Sequence, residues 1–270
     1  MIIDFHTHVY PEAIAKKTVG FLLDKISLPD KKAWTDGTAA SLVSSMEKSG
    51  VDFSVTLPVV TKPSQFESIN RFSENLRDVP GIIPFGGIHP DCDDIEEKLL
   101  FLKSSGFAGI KLHPDYQGTF IDDEKYIKLI GVCRELGLKV IIHAGIDVGL
   151  PDPVHCPPDR VLKMLSEVGI ERCDPFIILA HHGGWRMQSE VEEKLCGKNV
   201  FFDTGYCLDK YPPKDVVRII SLHGADKILF ATDSPWGDQR EYVRLLESLP
   251  LGDGEKEMIF SSNARRLLGI

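Results

Sequence analysis

The chain has 270 residues, 43% of them hydrophobic and 26% charged, with a formal net charge of −9 at pH 7. That length is ample to bury a core without disulfides or a structural metal, and it suits one barrel-sized domain over residues 1–270. The acidic balance argues against nucleic acid as a partner, and no apolar run is long enough to predict a membrane span.

Met1 leads directly into a strand-like stretch with no basic leader segment. The six cysteines, Cys92, Cys133, Cys156, Cys173, Cys196 and Cys207, form no C-x-x-C pair. Together these features predict a reduced, cytoplasmic protein.

Along the chain, short apolar runs alternate with helix-period segments. The runs cover residues 2–5, 53–57, 82–85, 107–112, 139–142, 176–180, 200–202 and 228–231. Each is rich in Ile, Val, Phe or Leu, as expected of strands covered on both faces. Helices are predicted over 39–49, 95–105, 123–136, 158–168 and 213–223, with Pro158 and Pro213 at helix starts. Gly50, Gly106, Gly137 and Gly169 stand where helices should end. Final helices over 239–248 and 255–268 would pack outside, with Ser261-Ser262-Asn263 as polar helix surface or a turn. Eight strands alternating with helices predict an α/β chain, a (β/α)8 TIM barrel. An open doubly wound sheet is the alternative, but no G-x-G-x-x-G follows the first run.

Polar residues then fall at the carboxyl end of one predicted strand after another. Asp4-Phe5-His6-Thr7-His8 ends the first, Lys111-Leu112-His113-Pro114 the fourth and Ile142-His143-Ala144-Gly145 the fifth. Ala180-His181-His182-Gly183-Gly184 ends the sixth and Thr232-Asp233-Ser234-Pro235 the eighth. This is the end at which such barrels build active sites. Residues two apart on a strand share a face, so His6 and His8 can present two imidazoles to one ion. His143 and His181 can add nitrogen donors and Asp233 an oxygen. Each motif alone is weak: a single His at a strand end usually serves structure, and a T-D-S-P is often a helix cap. Five at the same end of five strands point to a divalent metal, zinc by the nitrogen-rich donor set.

These motifs, with Trp236 and the closing Asn263-Ala264-Arg265-Arg266-Leu267-Leu268-Gly269, resemble the amidohydrolase superfamily over essentially the whole chain. The resemblance is to the type 2, or amidohydrolase-related, branch. It implies that His6, His8, His143 and Asp233 bind metal, and that His181, in preference to His182, is a second-metal ligand or a catalytic residue. It also implies that Lys111, in its Lys-Leu-His-Pro context, is carboxylated and bridges two ions. The residues leave other roles open for Lys111: a plain ammonium holding an anionic substrate, or the partner of a carboxylate. A homodimer is a further family expectation. Gly86-Gly87-Ile88-His89-Pro90 resembles TatD-type nucleases, but those carry a glutamate at the end of strand four where this chain has Lys111.

The expected function is metal-dependent hydrolysis of a small amide, ester or lactone, with Asp233 as general base and His181 beside the developing oxyanion. The alternative is metal-dependent decarboxylation or hydration of an aromatic or unsaturated acid, with Lys111 or Arg186 holding the carboxylate. A barrel that only binds metal is a third reading. His113, Tyr116 and Trp236 are the candidate substrate contacts, in loops that also carry His155, Cys156, Tyr206 and Cys207.

Overall fold

Each of the eight apolar runs forms a strand, and a ninth strand of two glycines follows the third run. The strands are β1 (Ile3–Thr7), β2 (Phe53–Thr56), β3 (Ile82–Pro84), β4 (Gly86–Gly87), β5 (Gly109–Leu112), β6 (Lys139–Ile142), β7 (Ile177–Leu179), β8 (Phe201–Asp203) and β9 (Ile228–Leu229). The structure, a computed structural model, describes residues 1–26, 28, 31–150, 152–172 and 174–270. Cys173 lies outside the described residues; the other five cysteines are free thiols.

Every strand pair is parallel, in the order β1-β2-β3 and β4-β5-β6-β7-β8-β9. Phe85, between β3 and β4, still donates its N–H to Thr56 O at 2.9 Å, so the third run stays docked on β2. On the other side, Phe5 N donates to Phe230 O at 2.8 Å, and Thr7 forms a parallel bridge with Ser234. First and last strands therefore meet, and the architecture is the expected (β/α)8 barrel. β4 consists of two glycines because its neighbours lie so close. A Cβ on Gly87 would come 2.8 Å from Val60 Cγ2. The Asn70 amide holds this strand by accepting from Gly87 N at 2.8 Å and donating to Gly87 O at 2.9 Å.

The helices follow the sequence pattern closely. The predicted ones occupy Ala39–Ser49, Ile95–Ser104, Glu124–Leu136, Pro158–Val168, Pro213–His223 and Gln239–Ser248, and further helices form at Glu12–Lys25, Phe66–Asn75 and Gln188–Lys194. Gly50 and Gly137 end two of them at φ 73° and 67°, a left-handed conformation that a Cβ would penalise. The last helical segment differs from expectation. It contains a π-helical turn at Met258–Ser262, and Asn263 is completely buried rather than on a polar surface. Asn263 Nδ2 donates to Ala225 O and Ile228 O at 2.7 and 2.8 Å, tying this helix to the start of β9. No helix among the described residues is long and apolar enough to cross a membrane.

Side chains alternate between two apolar layers. Ile110, Leu112, Val140, Ile142, Ile177, Leu179 and Phe202 join the layer shared with the helices. Ile3, Phe5, Val55, Leu57, Phe85, Ile141, Ile178, Phe201 and Leu229 form the barrel interior, with Ala264 and Leu267 of the last helix. By period-2 alternation, Lys111 and His113 turn inward on the β5 line, and His143 does so on the β6 line. β1 alone breaks the period. Asp4 pairs with Ser54 and Thr7 with Thr56, so three steps on β1 match two on β2. That extra residue is a β-bulge, which lets Phe5 fill the interior while His6 also points to the site.

His223 shows how a buried imidazole makes folding depend on pH. It accepts from Gly197 N at 3.2 Å through Nδ1 and donates through Nε2 to Val200 O at 2.9 Å, so its neutral form is fully paired. Burial lowers its pKa to about 4. Between about pH 4 and 6.5 the unfolded state binds the extra proton, so stability rises with pH across that window and is lost on acidification. The full contribution is on the order of 3 kcal/mol. Urea unfolding at pH 7 and pH 4.5 should show a smaller acid loss in His223→Leu than in the parent chain.

Candidate metal centre

His6, His8 and Asp233 converge at one mouth of the barrel. His6 Nε2 and His8 Nε2 are 3.1 Å apart, and Asp233 Oδ1 lies 3.4 Å from the first and 3.2 Å from the second. The bulge delivers His6. Asp233 arrives by another route: its φ of 61° is left-handed, and its N–H donates to His6 O at 2.8 Å. His181, His182, Arg186 and Tyr206 share this rare conformation for residues with a Cβ. Such backbone strain gathers where function fixes a side chain.

Hydrogen bonds settle which ring nitrogens carry hydrogen. His8 Nδ1 lies 2.7 Å from the carbonyl of Leu57, which can only accept, so Nδ1 is the donor and Nε2 keeps a lone pair. His6 Nδ1 lies 2.8 Å from Asp203 Oδ2, which fixes the same tautomer. Two imidazole lone pairs and a carboxylate oxygen therefore face one another within 3.4 Å. They repel unless a cation lies among them. This donor set fits a divalent metal, and the carbonyl or carboxylate behind each ring is the usual support for a metal-binding imidazole.

Electrostatics agree. Burial and the neighbouring Lys111 charge push the His6 pKa well below the ordinary imidazole value, leaving the ring neutral and able to coordinate. Burial pushes the Asp233 carboxyl up, but the imidazoles of His6, His181 and His8 more than reverse this and leave it below its usual value. Lys111 is completely enclosed, with Nζ 3.2 Å from His6 Nε2. Burial lowers its pKa to about 8, against the opposing pull of Asp203 and Asp233. Near neutral pH its amine form is thus accessible, as carbamate formation with CO2 requires.

His181 and His143 form the next layer. His181 Nδ1 donates to Gly205 O at 2.8 Å, so its Nε2 carries a lone pair, 3.0 Å from His143 Nδ1. His181 groups with His6 and Asp203, whereas His143 groups with His113 and Asp147. His143, expected to add a nitrogen ligand beside His6, His8 and Asp233, meets them in this conformation through His181. The strand ends explain the offset, because His143 continues β6 in line while His181 leaves β7 on a left-handed turn at φ 59°.

Of the predicted substrate contacts, His113 stacks on His143 with centroids 4.1 Å apart and planes 9° apart, and the Tyr116 ring lies edge-on to His113 at 4.5 Å. Trp236 is half-buried just past Asp233, where its N–H donates to Asp233 O at 2.9 Å. Arg186 places its guanidinium 6.0 Å from the Trp185 ring. Cys156 and Cys207 are buried, and burial holds both thiols well above their ordinary pKa, far from nucleophilic thiolates.

Sequence reasoning passed over Asp203. It is completely buried; Oδ1 accepts from His181 N and Gly205 N, each at 2.9 Å, and Oδ2 faces His6 Nδ1. One carboxylate thus orients both His6 and the His181 turn. A signal was present: an acidic residue directly ends the seventh apolar run. Asp4 stands two residues before the H-x-H pair. It proves to be a buried anchor accepting from Thr232 Oγ1 at 2.6 Å, Thr232 N at 3.0 Å and Gln239 Nε2 at 2.8 Å. Burial raises its pKa to about 7 in spite of those bonds.

The amidohydrolase family model matches residues 3–270. No curated protein sequence matches the chain. Among solved structures, an uncharacterized TIM-barrel protein from Bordetella bronchiseptica is similar with a TM-score of 0.76 and 17% identity, covering 99% of this chain and 98% of that one. The 5-carboxyvanillate decarboxylase of Sphingomonas paucimobilis is similar with a TM-score of 0.70 and 13% identity, covering 100% and 99%. A dihydroxybenzoic acid decarboxylase from Polaromonas sp., solved with bound manganese, has a TM-score of 0.66 and 14% identity, covering 99% and 96%.

Proposed function

Since the chain belongs to the amidohydrolase family, we propose that it is a metal-dependent hydrolase of a small amide, ester or lactone. The observation that carries this reading is the set of two imidazole lone pairs and one carboxylate oxygen within 3.4 Å at the barrel mouth. His6, His8 and Asp233 would hold the ion, with His181 and Lys111 beside it. When bound there, a divalent ion would supply Lewis acidity toward a substrate carbonyl and toward water.

Asp233, kept ionised, accepts the proton of the attacking water. His181 takes up a proton at Nε2, since its Nδ1 hydrogen is committed to Gly205 O. In that protonated form it can donate to the developing oxyanion or leaving group, which the neutral ring cannot do. His113 and Tyr116 form the pocket wall on the His143 side. Zinc suits the nitrogen-rich set, and manganese is the rival that the Polaromonas structure suggests. The small-molecule substrate, the absence of a nucleic-acid partner, a homodimeric state and a cytoplasmic location all belong to the same proposal.

Decarboxylation is the second reading, favoured by the likeness to two decarboxylases and by Lys111, a buried cation able to hold a carboxylate. One experiment separates the two. Chelator-treated protein should be inactive and regain activity with zinc or manganese. The reloaded enzyme is then given amides, esters and lactones alongside hydroxybenzoates. Acid release without CO2 supports hydrolysis; CO2 from the benzoates alone overturns it in favour of decarboxylation. Native mass spectrometry adds a check: a carbamate on Lys111 adds the mass of CO2, which Lys111→Met removes.

A further inference from the structure

We propose that Asp147 is a positioning residue that sets the tautomer of His143 and thereby whether its Nδ1 is free for a metal ion. This inference rests on the metal reading above. It begins with an unpaired atom: His143 Nε2 is buried and has no hydrogen-bond partner among the described residues. The other ring nitrogen, Nδ1, is 3.0 Å from His181 Nε2. That His181 nitrogen carries a lone pair, because His181 Nδ1 donates to Gly205 O. The His143–His181 contact is therefore a hydrogen bond only while His143 keeps its hydrogen on Nδ1. In that tautomer His143 offers no lone pair at Nδ1.

The acceptor needed for the other tautomer is already in place. Asp147 Oδ2 lies 3.9 Å from His143 Nε2 and 3.5 Å from His113 Nε2. The two rings are stacked nearly parallel, so both Nε2 atoms address the same oxygen. His113 Nδ1 accepts from Tyr116 N at 3.4 Å, which places the His113 hydrogen on Nε2, toward Asp147. The other carboxylate oxygen, Oδ1, accepts from Gly149 N at 2.8 Å, which anchors the group and leaves Oδ2 for the imidazoles. The loop is pinned as well: Gly145 N donates to Cys156 O and Ile146 N to Trp185 O, each at 3.0 Å. A small approach of Asp147 to His143 would bring Nε2 into hydrogen-bond range.

In the switch, one proton leaves His143 Nδ1 to solvent and one is taken up at Nε2, so the ring stays neutral. His143 Nδ1 and His181 Nε2 then face the centre with a lone pair each, and His143 joins the donors. A carboxylate behind a coordinating imidazole is the arrangement that raises ligand basicity and fixes its orientation.

The test uses the full-length protein labelled with ¹⁵N at histidine, with zinc alone as the probe. In the metal-free protein His143 should show the Nδ1–H tautomer, and on zinc loading the Nε2–H tautomer. Asp147→Leu should bind zinc about 10- to 100-fold more weakly. Asp147→Asn, whose amide oxygen still accepts, should recover most of that loss; because it keeps the shape of the carboxylate, it also serves if the leucine variant fails to fold. An unchanged His143 tautomer on zinc loading overturns the proposal, as does parental zinc affinity in Asp147→Leu. If the parent chain itself takes up no zinc, the metal reading falls and this inference with it. If zinc binds and substrate turns over while the tautomer stays fixed, only the role of Asp147 falls.

Discussion

Asp233→Asn should reduce kcat by about 10²- to 10⁴-fold, the range expected when a positioned general base is lost. The substitution keeps the size of the side chain, so the left-handed turn at φ 61° and the bond from Asp233 N to His6 O should persist. What disappears is the charge. A carboxylate held below its usual pKa is ionised throughout the neutral range, whereas an amide takes no proton from water and ligates a metal weakly. Steady-state kinetics at saturating metal separate the two losses. A fall in kcat that excess metal does not repair locates the defect in proton transfer, and full repair by metal assigns Asp233 to binding alone. Activity equal to the parent chain would remove Asp233 from the mechanism.

Asp203→Ala should be the most damaging single change away from the metal donors. Its carboxylate serves three donors, His181 N, Gly205 N and His6 Nδ1, all in a fully buried setting. Truncation leaves those hydrogens unpaired, each at about 1–3 kcal/mol, so a loss of about 3 kcal/mol or more is expected in urea unfolding. The same variant frees the His6 ring to rotate or change tautomer, which should weaken metal binding by about 10- to 100-fold. Asp203→Asn keeps one acceptor and should fall between the two. Parental stability and metal affinity in Asp203→Ala would show that neighbouring groups or water replace the carboxylate.

The two variants probe different parts of one arrangement. Asp233 faces the space where an ion and substrate meet, while Asp203 stands behind the imidazoles and fixes their hydrogens. Lys111 lies between, 3.2 Å from His6 Nε2, with its pKa lowered to about 8. Its chemical state bears on the choice between hydrolysis and decarboxylation, because a carbamate is an anionic donor and an ammonium is a counterion for a carboxylate.

Periodicity and residue type alone determined the eight apolar runs, the helices between them and the gathering of His6, His8, Lys111, His143, His181 and Asp233 at one barrel end. Those properties are local: a strand has period 2, a helix 3.6, and the carboxyl ends of parallel strands all point one way. The tertiary structure alone decided how donors from distant strands meet. The β1 bulge that brings His6 to the site appears only against its partner strand, since it is a mismatch of register between β1 and β2. The burial of Asn263 depends on the carbonyls of Ala225 and Ile228, which are remote in sequence. Asp203 and Asp147 gain their roles from imidazoles carried on other strands, and His143 stands behind His181 because the two strands end in different backbone conformations. Hydrogen-bond partners and tautomers belong to pairs of residues brought together by folding, so no pattern along the chain could have specified them.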